Sequence, residues 1–380
     1  MRKFMQGFAV FSLMTALVTG CGNGGSSTTG SSNNESVKIG LAAPLSGSSA
    51  EYGEQFKKGA ELAVKLVNDA GGINGKKVEL DIQDDKGDPK EAANTANKFA
   101  SDKSILAVVG HFNSSATLAA APIYNKNKMV EISPSSSSPK VTDAGEYTFR
   151  VITTDAFQAQ YVADWTKEEG FKKAAIIYEQ TDFGLGLSDV YSKAAKENGI
   201  EIVANEAYVA GQTKDFASIL TKIKEKQPEL LFIGGLYNEA ALIAKQSKQL
   251  GLDVRFIGVD SLYSDALIKL GGDAVEGVML PGFFNPNSQN EKTKEFVEAY
   301  KKVYNEEPGT YAAYTFDATT IVLEAIKQKG ANRETIKEYL TTLKGYKGAT
   351  GVHDFDPNGD VLKEPERLVV KDGKFQPYKQ

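Results

Sequence analysis

The sequence predicts an α/β protein made of two doubly wound parallel-sheet lobes. Three observations carry that reading. From Val37 onward, short apolar strands alternate with amphipathic helices, the pattern of right-handed strand–helix–strand crossovers that build a parallel sheet covered on both faces. There are more such units than one sheet holds comfortably, and at 380 residues two domains are the natural expectation. The composition, 41% hydrophobic and 24% charged with both signs mixed, is that of a globular chain.

Ahead of the first strand, Arg2 and Lys3 precede an apolar run from Phe8 to Val18, then Thr19 and Gly20. This is the pattern of a secretory signal over residues 1–20, too short and wrongly flanked for a membrane span. VTGC at 18–21 resembles the lipobox of bacterial lipoproteins, which implies a diacylglyceryl group on the Cys21 sulfur and cleavage that leaves Cys21 as the first residue. Cys21 is the single cysteine, so an internal disulfide is impossible. Residues 21–36, with GNGGSSTTGSSNNES after the cysteine, have the composition of a flexible tether. An exported, membrane-anchored body on the extracytoplasmic face is therefore expected. With 44 basic and 49 acidic residues the net charge is -5, and no basic stripe could track a phosphate backbone. Nucleic acid is excluded as a partner on this reading, and a monomer is expected.

The elements follow in order. VKIGLAAPL (37–45) reads as a buried strand. A helix from about Tyr52 puts Phe56, Ala60, Ala63, Val67 and Ala70 on one face and stops at Gly71–Gly72. KVELDIQD (77–84) alternates as a strand does. In DPKE (88–91), Asp88 caps a helix, Pro89 takes its first position and Glu91 can complete a capping box. ILAVVG (105–110) and MVEIS (129–133) are strands on either side of a helix from 115 to 125. After Arg150 the pattern resumes: strands at 174–178, 200–205, 229–235 and 255–259 alternate with helices near 156–169, 187–198, 213–226 and 239–250. VMLPGFF (278–284) leads to helices at 291–304, 311–328 and 333–344. HDFDPNGDVL (353–362) reads as a turn between short strands.

In open parallel sheets ligands bind beyond the carboxyl ends of the strands. Two polar loops sit there: HFNSS (111–115), opening a helix that Ser114 is placed to cap, and PSSSS (134–138). Asn113, Ser114, Ser135, Ser136 and Ser137 together describe a nest able to hold a carboxylate at a helix N-terminus. Tyr52, Phe112, Phe183, Tyr237 and Tyr311 lie in loops or at helix starts on the same edges, outside the apolar stripes. Asp260 closes strand 255–259 and could face the cleft as partner of a buried ammonium. Asp155 and Asp182 are carboxylates of the same kind.

Catalytic patterns are missing: the chain has two histidines and no nucleophile-elbow, zinc-protease or phosphate-loop motif. His111 reads as a loop residue that packs or hydrogen bonds near the pocket. GLGLSD (184–189) lacks the third glycine of a dinucleotide turn. DFDPNGD (354–360) matches the first half of a calcium loop, but Pro365 stands where the bidentate glutamate is needed, so a hairpin turn is expected. Neither an enzyme nor a bound metal or cofactor is expected.

Taken together, KIGLAAPLSGSSAEYGEQFKKGAELAVKLVNDAGGINGKKVELDIQDDKGDP, VVGHFNSSAT, ISPSSSSP and DFGLG resemble the leucine/isoleucine/valine-binding proteins of bacterial ABC transporters, over essentially the whole body. The resemblance implies the type I periplasmic-binding-protein fold with three hinge crossovers. One lobe would comprise 37–153 and 284–350, the other 154–283 and 351–380. It further implies a free amino acid of the branched-chain class as ligand and a membrane ABC permease as partner. Ser114 and Ser137 match the hydroxyls that hold the ligand's carboxylate and ammonium, Ser135 would offer its carbonyl, and Asp260 stands where the family has a glutamate. Tyr52, Phe112, Phe183 and Tyr311 match side-chain pocket positions, and at a further one either Leu236 or Tyr237 is the match. The family's small disulfide is replaced by Gly87 and Asn113. A receptor of the same fold for amides or other small polar ligands is the alternative.

Overall fold

A computed structural model of the protein describes residues 36–379. The expected signal, Cys21 and the tether up to residue 35 lie outside the described residues. The chain opens with β1 (Val37–Ala43), α1 (Ala50–Asp69), β2 (Val78–Asp84), α2 (Pro89–Ser101), β3 (Ile105–Val109), α3 (Ser114–Lys126), β4 (Val130–Ser133) and β5 (Thr148–Arg150). These strands form a five-stranded sheet in the order β2-β1-β3-β4-β5, parallel throughout. The short buried runs that fill β1, β3 and β4 make its core, and α2 starts as its sequence requires: the Asp88 carboxylate accepts from the Lys90 and Glu91 N–H groups, with Pro89 in the first position.

The next run is α4 (Asp155–Glu168), β6 (Lys173–Glu179), α5 (Asp182–Glu197), β7 (Glu201–Tyr208), α6 (Ala217–Glu225), β8 (Leu230–Gly234), α7 (Tyr237–Gln249), β9 (Arg255–Gly258), α8 (Asp265–Gly271) and β10 (Met279–Gly282). Three helices follow, α9 (Glu291–Tyr304), α10 (Thr310–Lys329) and α11 (Arg333–Thr341), then the hairpin β11 (Tyr346–Gly348) and β12 (Gly351–His353), and finally β13 (Glu366–Lys371) and β14 (Lys374–Pro377). The second sheet has the order β14-β13-β10-β9-β8-β6-β7. β6 to β10 run parallel, and β13 and β14 add an antiparallel edge. Trp165 and the stacked rings of Tyr191 and Phe232, 4.1 Å apart, fill its core.

The chain passes between the two sheets three times, after β5, after β10 and after β12. Helices α10 and α11 return to the first sheet, packing on α1, β3 and β4. The first and third crossovers lie side by side, joined by a bridge between Thr153 and Val361 and by the Arg150–Asp360 ion pair at 2.6 Å.

Several elements differ from the sequence reading. The helix expected at 187–198 begins at Asp182 and absorbs DFGLG. Thr181 caps it, its hydroxyl accepting from the Gly184 N–H at 3.2 Å. The two glycines hide that start because they serve close packing: a Cβ on Gly184 would lie 2.2 Å from the Glu179 carbonyl, and one on Gly186 only 3.1 Å from Pro139. The edge strands β5, β13 and β14 have no counterpart in the sequence reading. Of the turn at 353–362, only the first flank is a strand. The expected boundary at residue 350 falls inside the β11–β12 hairpin, where β12 stays beside α10 because His353 Nε2 lies 2.9 Å from the Asp317 carboxylate.

Candidate ligand-binding site

Parallel pairing sends the loops after β1, β3 and β4 out on one edge, and those after β6, β8 and β9 out on the facing edge of the second sheet. The serine loop is fastened to the loop before α3. The Ser135 hydroxyl donates to the Phe112 carbonyl at 2.7 Å, and the Ser136 hydroxyl meets Thr117 Oγ1 at 2.7 Å and the carbonyls of His111 and Phe112 at 3.2 Å. From behind, Arg150 donates to the Ser136 and Ser138 carbonyls at 3.2 and 2.8 Å. His111 is a buried strut as expected, with Nδ1 2.6 Å from Asp85 and Nε2 3.2 Å from the Tyr124 hydroxyl.

Ser114 does not cap α3. Asn113 is the N-cap, without a side-chain cap bond, and Ser114 is the first helical residue, its hydroxyl accepting from the Ser138 N–H at 3.2 Å. This ties the helix start to the serine loop. The Ala116 and Thr117 N–H groups donate to the Asn113 carbonyl at 3.0 Å, and the Ser114 and Ser115 N–H groups are the ones that helix geometry leaves without a backbone acceptor. The Asn113 side-chain oxygen is buried without a partner.

A cavity between the two edges is lined on the first-sheet side by Phe112, Asn113, Ser114, Ser135, Ser137 and Tyr311, and on the other by Glu179, Phe183, Leu236, Asp260 and Ser261. Eight of the eleven expected ligand residues therefore share one cavity. Ser136, Tyr52 and Tyr237 stand behind it. Ser136 spends its hydroxyl inside the wall. Tyr52 stacks on Phe112 with ring centroids 4.6 Å apart, packs 5.1 Å from Tyr237, and donates its hydroxyl to the Ser261 carbonyl at 3.2 Å across the cleft. Of Leu236 and Tyr237, it is Leu236 that faces the cavity.

Glu179 and Ser261 are lining residues that the sequence reading missed. Glu179 was legible by the same rule that singled out Asp260, an acid at the carboxyl end of a parallel strand. Ser261, directly after Asp260, carried no separate signal.

The electrostatics of the two walls differ. Asp260 is buried with one carboxylate oxygen unpartnered, and burial pushes its pKa up to about 7 against the weaker pull of Gln158 and the Ser261 N–H. Glu179 is raised to about 7 by burial, opposed by the Thr181 hydroxyl and reinforced by Glu239. Burial also holds Asp155, behind the wall, well above the carboxylate range, while the Ser137 hydroxyl and Arg150 pull it down. Asp182 instead lies near the surface and pairs with Lys140 at 2.6 Å. Such a site can receive a ligand with an anionic end against hydroxyls and amides and a cationic end against free carboxylates. Among the described residues no cluster of metal-ligating side chains occurs. The 354–360 loop is a turn in which Asp356 accepts from the Asn358 and Asp360 N–H groups.

Two sheet-based lobes facing each other across a polar and aromatic cavity define a ligand-binding protein of the periplasmic type, and the family model described as periplasmic binding protein matches residues 36–370. The chain belongs to that family, whose members bind ligands rather than transform them. It is 36% identical over 351 residues to the Leu/Ile/Val-binding protein homolog 1 of Brucella abortus (strain 2308), covering 89% of this chain and 92% of that one. It is 32% identical over 335 residues to the leucine-, isoleucine-, valine-, threonine-, and alanine-binding protein of Pseudomonas aeruginosa, covering 86% and 87%. Among solved structures it is similar to the leucine-binding protein LivK of Thermotoga maritima, with a TM-score of 0.85, 30% identity and coverage of 90% and 98%. LivJ of Streptococcus pneumoniae, in complex with isoleucine, gives a TM-score of 0.84, 32% identity and the same coverage. Among the described residues no helix is long and apolar enough to cross a membrane.

Proposed function

We propose that the protein is the extracytoplasmic, lipid-anchored binding component of an ABC importer, which captures a branched-chain or similar apolar amino acid by closure of its two lobes and hands it to a membrane permease. The observation that carries this reading is the opposition inside one cavity of hydroxyls at the start of α3 and the free carboxylate of Asp260, with Phe112, Phe183, Leu236 and Tyr311 between them. That is the complement of a zwitterion with an apolar side chain. The names of the Brucella and Pseudomonas relatives point to the same ligand class.

In this reading Ser114, Ser137 and the free N–H groups at the start of α3 hold the carboxylate. Asp260 and the Ser135 carbonyl hold the ammonium, and Tyr52 and Tyr237 back the aromatic slot. The lobes comprise 37–153 with 284–353 and 154–283 with 354–380, and move about the three crossovers. Burying a leucine-sized side chain contributes about 1.5–3 kcal/mol, and each charge-assisted hydrogen bond about 1.5–3 kcal/mol before ordering costs. Micromolar affinity needs about 8 kcal/mol, which these terms reach. Cys21 after its small residues supports a lipid anchor, since two acyl chains hold where one is marginal.

Calorimetry with Leu, Ile, Val, Phe, Ala and a sugar tests the reading: micromolar or tighter heats are expected for at least one aliphatic amino acid. Tight sugar binding with no amino acid response overturns it. Labelled palmitate incorporation that disappears in Cys21→Ala tests the anchor.

A further inference from the structure

We propose that Glu179 is the proton-accepting residue of this site, taking up a proton as the lobes close over the ligand and leaving Asp260 as the carboxylate that meets the ligand's ammonium. This rests on the amino acid reading above.

Glu179 ends β6 and lines the cavity beside Phe183 and Leu236. One carboxylate oxygen accepts from the Thr181 hydroxyl at 2.7 Å, and the other is buried without a partner. The titratable groups facing it from neighbouring elements are acids or phenols: Glu239 on α7, Tyr208 on β7 with its own hydroxyl unpartnered, and Asp155 at the start of α4. Lys214 reaches only Glu239, at 4.0 Å, and is itself exposed. The guanidinium of Arg150 acts on Asp155 and is already bonded to Asp360. Thus two lining carboxylates, Glu179 and Asp260, face a ligand that brings one ammonium, and a buried charge left unpaired is expensive. Burial raises both to about 7; Asp260 has the ammonium as its counter-charge in the reading above, so Glu179 is the one that a proton must neutralise.

Asp155 does not fill that role because it does not line the cavity and has the Ser137 hydroxyl and the Arg150 guanidinium beside it to offset its charge. Opening hydrates Glu179, whose carboxyl then approaches its ordinary value of 4.5, whereas the closed geometry raises it to about 7. The closed, loaded state therefore binds more protons than the open one between those values. Affinity strengthens as pH falls through about 7 and levels off towards 4.5.

Calorimetry of the mature chain with leucine, in paired buffers of different ionisation enthalpy, reads this directly. Uptake approaching one proton per leucine near pH ~6 is expected, with binding at least about tenfold tighter at pH ~5.5 than at pH ~8. Glu179→Gln, which mimics the protonated acid, should bind with an affinity that no longer depends on pH. Asp155→Asn should retain the uptake. Flat wild-type affinity with no buffer-dependent heat overturns the proposal, as does an unchanged pH slope in Glu179→Gln or loss of uptake in Asp155→Asn. Absence of leucine heat at every pH in a folded protein overturns the amino acid reading instead.

Discussion

The two walls of the cavity are built on opposite principles. On the first-sheet wall the hydroxyls of Ser114, Ser135 and Ser136 are engaged with neighbouring backbone, and Arg150 braces the loop from behind. On the second-sheet wall Glu179 and Asp260 keep carboxylate oxygens without partners. A neutral, internally bonded wall is pre-organised and changes little with conditions. A wall of unpaired acids is costly to bury alone, so it depends on what the cleft receives and on pH.

The largest effect that would break this contrast comes from the brace. Arg150 is wholly buried and pairs with Asp360 at 2.6 Å while serving two serine-loop carbonyls. Arg150→Met removes the cation but leaves the carboxylate and both carbonyls, so a loss of about 3–5 kcal/mol is expected in denaturant unfolding. A loss below about 1 kcal/mol would mean that the serine loop holds its shape without the brace.

Next comes Asp260→Asn. If the second wall is the cation receptor, ligand affinity falls at least about tenfold, roughly 1.4 kcal/mol or more. The measurement is the calorimetric Kd of both proteins at the same pH; burial raises the Asp260 carboxyl of the ligand-free cavity to about 7, and the ligand's ammonium opposes that rise. Unchanged affinity would remove Asp260 from the site.

The contrast also explains what could be read from the sequence. Strand–helix alternation and the rule that ligands gather at carboxyl ends of parallel strands brought HFNSS, the serine loop and Asp260 to one place. Which way a side chain turns depends on three-dimensional packing. Ser135 and Ser136 are adjacent and chemically identical, yet one lines the cavity and the other bonds Thr117 behind it. Tyr52 and Tyr237 were placed on the correct edges, but their rings face each other. Glu179 ends its strand as Asp260 does and was legible by the same rule, although the burial of its carboxylate leaves no pattern of its own in a single sequence. The start of α5 was hidden for a related reason: Gly184 packs against the end of β6 at Glu179, and Gly186 against Pro139 in a distant part of the chain.

A paired substitution sharpens the distinction between adjacent serines. Ser136→Ala leaves Thr117 short of a partner inside the wall, so a stability loss of about 1–2 kcal/mol with a less than about threefold change in Kd is expected. Ser114→Ala should do the reverse in emphasis, weakening ligand affinity more than it lowers the melting temperature. Equal behaviour of the two variants would show that the wall does not separate structural from ligand-facing hydroxyls.

The smallest effect concerns the rim, where the walls meet. Lys140, beside the serine loop, pairs with Asp182 at the start of α5, and Ser115 Oγ accepts from the Asp182 N–H at 3.2 Å. Both contacts join the two sides and so favour closure. Because Lys140 is 62% exposed, solvent and salt screen the pair, and its worth is about 0–1 kcal/mol. Lys140→Ala should therefore weaken ligand binding by less than about fivefold at low ionic strength, mainly by speeding release, and the difference should vanish in high salt. A larger, salt-independent effect would place the energy of closure at the rim and not in the buried charges of the cavity.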